Sequence, residues 1–187
     1  MQIGELLREF HRISMHAFGY IGANGILTAY QSNHAYLTDQ FSRKLKDFVE
    51  RGGDVRFAGR ITEYLDHHVE LLSVCKSAVL CHNDLHAGNL LARASDEELR
   101  LTGVLDFEGA LAGDPLMDVA KALFYLDTAS RRALHEGYGA TGREKCSQTL
   151  DLYHLYFIIE LWCWMAQIGN RQPLDKLALD LERFSTM

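Results

Sequence analysis

Leu80-Cys81-His82-Asn83-Asp84-Leu85-His86-Ala87-Gly88-Asn89-Leu90-Leu91, followed by Val104-Leu105-Asp106-Phe107-Glu108, is the stretch on which the fold of this 187-residue chain turns. Two short apolar runs, 78–81 and 90–92, bracket a polar loop. Leu99 and Leu101 then alternate with Arg100 and Thr102 into Val104-Leu105. This pattern predicts a small β-hairpin embedded among helices, with Ser95-Asp96-Glu97-Glu98 as its turn. The hairpin would carry a candidate base, Asp84, and two oxygen donors for a divalent metal, Asn89 and Asp106. Taken singly, Asp84 reads as a turn aspartate and Asn89 as a loop cap. Their combination with Asp106 is what carries information.

Outward from the motif the periodicity becomes helical. Ile3, Leu6, Leu7, Phe10, Ile13 and Ala17 recur at helical spacing, with Glu5, Arg8, Glu9 and Arg12 opposite. Residues 18–31 contain Gly19, Gly22 and Gly25 and read as a loop. Leu37, Phe41, Leu45, Phe48 and Val49 mark a second helix closed by Gly52-Gly53. Asp54 caps a third, with Ala58, Ile61, Leu65, Val69 and Leu72 inward. After the motif, Asp114-Pro115 starts a helix with proline at its first position. A long helix over about 143–168 and a last one from Pro173 complete the chain. Gly137-Tyr138-Gly139-Ala140-Thr141-Gly142 matches a dinucleotide-loop pattern, but it follows a helix and reads as a helix-ending loop.

A hydrophobic share of 48% with 24% charged residues is that of a globular chain, and two prolines leave no linker to divide it. A single domain over 1–187 is expected. The net charge of −6 argues against a nucleic-acid surface and fits a cationic substrate weakly. Cys75, Cys81, Cys146 and Cys163 have neither metal-site nor disulfide-framework spacing, which suits a reducing, cytoplasmic setting. The opening residues lack a signal-peptide pattern, and the most apolar stretch, 152–165, is too short to span a bilayer.

Phosphoryl transfer needs charge on the phosphate neutralised and the attacking oxygen oriented. Asparagine and aspartate oxygens suit a hard cation, Mg²⁺ or Mn²⁺, that keeps positions open for phosphate. Asp84 and Asn89 have the separation of the Asp and Asn of a protein-kinase catalytic loop, and Asp106-Phe107 stands where the kinase metal-binding Asp-Phe pair would. With 82–89, 105–108 and Gly113-Asp114-Pro115-Leu116-Met117-Asp118, the sequence resembles the aminoglycoside phosphotransferase family, the kinase-like group that includes antibiotic kinases and choline or homoserine kinase relatives. The resemblance implies that Asp84 is the catalytic aspartate and that Asn89 and Asp106 are the metal ligands. It further implies that Asp118 supports the loop from the following helix and that His82 is structural within it. Ala87 departs from the proline of many members, and His11-Arg12-Ile13 looks like the first helix of the family's C-terminal lobe.

The expected fold is therefore α+β and mostly helical: a kinase-like C-terminal lobe whose small β-hairpin carries the catalytic loop, with the N-terminal lobe absent. No glycine-rich strand pair precedes the motif. None of Lys44, Lys46, Lys76, Lys121, Lys145 and Lys176 lies in a strand context before it, as the family's ATP-holding lysine would. ATP is expected to serve only if that lobe is supplied. The acceptor would be a small phosphoester or an amine- or hydroxyl-bearing molecule. Two other functions stay open: a metal-dependent phosphoester hydrolase using Asp84 with the Asn89/Asp106 site, and a non-catalytic binding or lobe-complementation module. Phe18, Tyr20, Ile21, Ile26 and Leu27 would form an apolar patch on the face left by the missing lobe, from which a homodimer is expected.

Other residues admit two readings each. His82, Asp84, His86, Asp106 and Glu108 could form a richer Mn²⁺ or Zn²⁺ cluster, but backbone-bonded loop histidines and a loop-anchoring Glu108 are the preferred account. His67-His68 read as surface and core-edge residues of the third helix. Trp162 and Trp164, with Tyr153 and Tyr156, read as packing for the long helix. Glu160, Asp180 and Glu182 could line an acidic pocket for an amine-bearing acceptor, or a solvated helix face, which is preferred.

Overall fold

The computed structural model of the protein describes residues 2–95 and 99–184. In chain order the elements are α1 (Gln2–Phe10), β1 (Gly19–Gly22), β2 (Gly25–Ile26), α2 (Asn33–Glu50), α3 (Val55–His67), α4 (Val69–Leu72) and β3 (Val79–Cys81). They continue with β4 (Leu90–Ala94), β5 (Leu99–Val104), β6 (Leu111–Gly113), α5 (Pro115–Tyr125), α6 (Thr128–Tyr138), α7 (Cys146–Gln167) and α8 (Leu174–Phe184). The class is α+β and mainly helical. Among the described residues no helix is long and apolar enough to cross a membrane.

α7 organises the core. Leu152, Tyr153, Leu155, Tyr156, Phe157, Ile158 and Ile159 are all buried, so the helix is covered on every side, as its continuous apolar run requires. α2 packs on it through Phe41, whose ring meets Tyr156 edge-on at 5.0 Å between centroids, and through Phe48, 4.4 Å from Trp162. Local signals agree with these helices. Ser32, Asp54, Asp114 and Asp127 each cap a helix by accepting a backbone N–H two or three residues on. Gly139, with φ of +86°, ends α6, so the glycine-rich 137–142 segment is a helix-ending loop.

The strands are arranged differently from the single hairpin expected. Four form one antiparallel sheet in the order β2-β1-β6-β3, and β4-β5 make a separate hairpin. β3 is therefore not part of the hairpin, and the polar loop runs from one sheet to the other. The expected turn at 95–98 lies, but for Ser95, outside the described residues.

Segment 18–31 is not a loop. Gly19 pairs with Ala112 and Tyr20 with Leu111, which builds the glycine-rich piece into the sheet. Gly19 has φ of +142°, and a Cβ there would lie 2.2 Å from the Thr28 carbonyl oxygen, so only glycine fits. α1 likewise stops at Phe10. The Ile13 carbonyl accepts from Leu80 N–H and Met15 N–H donates to Ala78, so pairing with β3 overrides the helical spacing of Ile13 and Ala17. The third helix breaks at His68, and Val69 turns outward.

The apolar patch expected on residues 18–27 is largely covered within the chain. Phe18 is buried, and Tyr20 packs edge-on against Tyr36. Ile21 and Ile26 are half-buried, which leaves Leu27 exposed. Strand pairing turns Phe18, Tyr20 and Ile26 onto the core, so the expected patch is reduced to Ile21 and Leu27.

α1 crosses α6 at a contact only glycine permits: a Cβ on Gly4 would lie 2.2 Å from the Leu134 oxygen and 2.4 Å from the Tyr138 nitrogen. Because backbone cannot yield as a side-chain tip can, Gly4→Ala is expected to cost about 2–3 kcal/mol. Urea denaturation checks this; a midpoint equal to that of the parent would contradict it.

Candidate functional site

Strand register brings the two polar loops together. Cys81 at the end of β3 faces Leu111 at the start of β6, and Leu90 at the start of β4 faces Val104 at the end of β5. Segments 82–89 and 105–110 therefore run between the same two sheets, side by side. They are stitched directly: Leu105 N–H donates to the Asn89 carbonyl at 2.9 Å, and Asn83 Nδ2 donates to the Gly109 carbonyl at 3.1 Å. Asn83 and Asp106 both have φ of +62°. That left-handed conformation is rare for residues other than glycine, though Asn and Asp tolerate it better than most, and it clusters at functional sites.

The first loop is held from behind by α5. Asp118, fully buried, accepts from His82 N–H at 2.8 Å and Asn83 N–H at 2.9 Å, one on each carboxylate oxygen. His11 Nε2 lies 3.4 Å from the same carboxylate, and its Nδ1 is 2.8 Å from the Tyr138 hydroxyl. His82 is buried, with Nε2 2.9 Å from the Leu105 carbonyl. A carbonyl can only accept, so Nε2 carries the proton and Nδ1 accepts from Asp84 N–H at 3.3 Å. One ring thus ties the backbone beside Asp84 to the residue preceding Asp106.

α5 is itself anchored at its first turn. Asp114 is fully buried, caps the helix through Leu116 N–H, and receives both Arg143 guanidinium nitrogens at 2.5 and 2.7 Å. The Tyr153 hydroxyl donates to it at 2.6 Å.

On the open side, Asn89 Nδ2 donates to the Asp84 carbonyl at 2.9 Å and reaches Asp84 Oδ2 at 3.3 Å. This fixes the amide so that its Oδ1 is the atom left to serve as a metal donor. Asp84 is half-buried, and Asp106 and Glu108 are exposed. Glu108 N–H lies 3.4 Å from Asp106 Oδ1. His86 accepts from Gly88 N–H through Nδ1 at 3.0 Å, with Nε2 3.6 Å from Asp84 Oδ2. Phe107 packs on His82 at 4.6 Å and on Phe10 at 5.7 Å. The carboxylate-and-amide donor set suits Mg²⁺ or Mn²⁺. Among the described residues the five of the richer cluster do not bring three ligand atoms within 4.8 Å of one another: His82 has both ring nitrogens on backbone partners, and His86 keeps only Nε2 toward Asp84. Among the described residues, the His/Cys/Asp/Glu group with ligand atoms within 4.8 Å of one another is instead His11, Cys81 and Asp118, behind the loop.

Asp84, His86, Asp106 and Glu108 line a cavity of about 1130 Å³ whose far wall comes from α2, α5 and α7. Tyr125 stands beside Asp84, its phenol pushed up to about 12 by burial and then by the Asp84 charge, so it stays protonated. Glu160 does line this cavity, but it is not a free acid: Lys121 Nζ lies 2.9 Å away and Lys44 Nζ 3.8 Å away. Asp180 is not among the lining residues, and the Glu182 side chain lies outside the described ones. Trp162 is buried in the core, whereas Trp164 is 52% exposed and faces the cavity. Sequence periodicity carried no signal for the lysine pair, for Tyr125, or for His11 and Tyr138. Each comes from an element chosen by tertiary packing.

A family model described as the phosphotransferase enzyme family (APH) matches residues 2–154, which include both loops, α5 and α6. The chain belongs to this aminoglycoside phosphotransferase family. A thermostable mutant of aminoglycoside phosphotransferase APH(4)-Ia superposes with a TM-score of 0.72 at 19% identity, over 98% of this chain and 63% of that one. A protein described as a candidate fructosamine-3-kinase from Thermobifida fusca YX-ER1 gives 0.66 at 22%, over 97% and 64%. APH(2")-IIa in complex with gentamicin gives 0.63 at 18%, over 96% and 62%. At these identities the likeness is one of fold, and the chain spans a little under two thirds of the length of these structures. No curated protein sequence matches it significantly.

Proposed function

We propose that the cavity is a metal-dependent phosphoryl-transfer site, with Asp84 as the orienting base and Asn89 and Asp106 as the groups that hold Mg²⁺ or Mn²⁺. His82, His86, Glu108 and Asp118 shape the loops around them. The observation that carries this is the Asn89 side chain: its N–H groups are spent on Asp84, so one residue fixes the base and offers an oxygen to a cation. The ion, when bound, neutralises charge on the phosphate oxygens. Asp84 accepts the hydrogen bond of the acceptor hydroxyl and aims its oxygen at phosphorus. A weak base suffices because the transition state is loose and the proton moves late. ATP is the donor when a nucleotide-holding lobe is supplied. The four free cysteines fit a reducing, cytoplasmic setting.

Metal-dependent phosphoester hydrolysis is the second reading. It is favoured by the openness of the cavity at Asp84 and Asp106, where water can take the acceptor's place. Three measurements separate the functions: Mg²⁺ binding by calorimetry, transfer of labelled γ-phosphate from ATP, and hydrolysis of p-nitrophenyl phosphate. The expected result is Mg²⁺ binding by the chain and, with a separately produced N-terminal lobe of a family member added, transfer that is abolished by EDTA and restored by Mg²⁺ or Mn²⁺. Hydrolysis without transfer supports the second reading. Neither activity, together with no Mg²⁺ binding, overturns both and leaves a binding or complementation module.

A further inference from the structure

We propose that the half of the cavity away from Asp84 and Asp106 is an acceptor subsite for an uncharged, polyhydroxylated ring, and that it selects against polyamines. Its role as an acceptor subsite rests on the phosphoryl-transfer reading; its chemistry rests on the charges and rings of its wall. Two carboxylates face this half, Glu160 and Asp47. Both already face cations: Glu160 sits between Lys121 at 2.9 Å and Lys44 at 3.8 Å, and Asp47 accepts from Arg51 Nε at 2.6 Å. Lys44 and Lys121 balance Glu160 and Asp47, so the inner wall is neutral and leaves no carboxylate without a cation beside it.

Lys121 cannot easily move aside. Its side chain is only 12% exposed, and its ammonium lies 5.0 Å from the centroid of the Phe157 ring. An incoming ammonium would meet the held Lys121, the more exposed Lys44 and a carboxylate already engaged by both. The carboxylates of the cavity with no lysine or arginine beside them, Asp84, Asp106 and Glu108, belong to the reacting end. Hydroxyl groups face no such conflict. An ammonium has three donors and a carboxylate about four acceptor positions, so the Lys121–Glu160 pair keeps capacity for both the lone pairs and the O–H of a hydroxyl. Trp164 and Tyr125, 52% and 46% exposed, add flat apolar faces to the same cavity. Aromatic surface with a few fixed polar groups is how a small pocket orients a ring without demanding charge. The wall thus differs in kind from one that would hold an amine-rich antibiotic such as gentamicin.

The test is an equilibrium titration of the purified chain, read by tryptophan fluorescence. Trp164 reports from the cavity, and a Trp164→Phe control removes the signal of the buried Trp162 from the account. The probes are D-fructose, methyl α-D-glucoside, myo-inositol and gentamicin at 150 mM salt, without nucleotide or metal. At least one neutral probe is expected to bind ten times more tightly than gentamicin. Lys121→Gln frees Glu160 on one side and is expected to raise gentamicin affinity at least tenfold while weakening the neutral probe. Lys44→Gln, at the more exposed rim, should shift both in the same direction by a smaller factor and serves if the first variant does not fold. Tighter binding of gentamicin than of every neutral probe, no binding of any neutral probe, or unchanged gentamicin affinity in the folded variants overturns the proposal. Because no phosphate moves in this titration, failure of the phosphoryl-transfer reading would leave its outcome intact, and the reverse holds as well.

Discussion

Asp106→Asn is expected to lower metal-dependent turnover about a thousandfold, which corresponds to roughly 4 kcal/mol of lost transition-state stabilisation. The choice of asparagine matters. Asp106 sits at φ of +62°, where alanine would add a backbone penalty of about 1–2 kcal/mol. Asparagine tolerates the left-handed region, so the substitution removes the charge and little else. The side chain is exposed, and Glu108 N–H, a backbone partner, is 3.4 Å away. The thermal midpoint should therefore stay within about 2 °C of the parent, equivalent to roughly half a kcal/mol or less. Mg²⁺ affinity by calorimetry should fall together with turnover. Full activity in a folded Asp106→Asn protein would remove Asp106 from the metal site.

Asp114→Ala is expected to cost about 4 kcal/mol of stability, the largest effect foreseen for any single side chain here. The loss has three parts: a helix cap worth about 1 kcal/mol, the hydrogen bond from Tyr153, and a guanidinium left without its counter-charge. The last dominates, since breaking a buried pair typically costs 3–5 kcal/mol. Arg143 is 15% exposed and Asp114 fully buried, so water can relieve only part of the orphaned charge. The double variant Asp114→Ala/Arg143→Leu should then be more stable than Asp114→Ala alone. Urea denaturation of the two proteins decides this. A single variant within 1 kcal/mol of the parent, or a double variant less stable than the single, would show that the ion pair is not the principal anchor of α5.

Much of this architecture is legible in the sequence because local and tertiary preferences agree there. Asp54 and Asp114 cap the helices they precede, Gly52-Gly53 ends α2, and the first half of the apolar stretch 152–165 does lie at the centre of the core, while Glu160 and Trp164 turn to the cavity. Legibility fails where pairing between distant segments decides. Gly19 and Gly22 look like loop residues, yet β6 recruits the first and β2 the second, since a position without Cβ can pass close beside residues 26–28. Ile13 and Ala17 keep a helical interval in a chain already committed to β3. In the site, the positions of Asp84, Asn89 and Asp106 follow from one motif, because their spacing is local. The neutralisation of Glu160 does not: Lys44, Lys121 and Glu160 come from three helices and meet only after packing.

α5 carries a consequence for how the site keeps its dimensions. Asp118, Lys121 and Tyr125 fall on one stripe of that helix, at intervals of three and four residues. The first grips the backbone of the reacting loop, the second fixes the charge of the far wall, and the third stands beside Asp84. Over these seven residues the helical rise is about 10 Å. The Asp84 loop and the Lys121–Glu160 wall are thus both tied to one helix and not to several loops. A shift of α5 would therefore carry the Asp84 loop and the Lys121–Glu160 wall in the same direction.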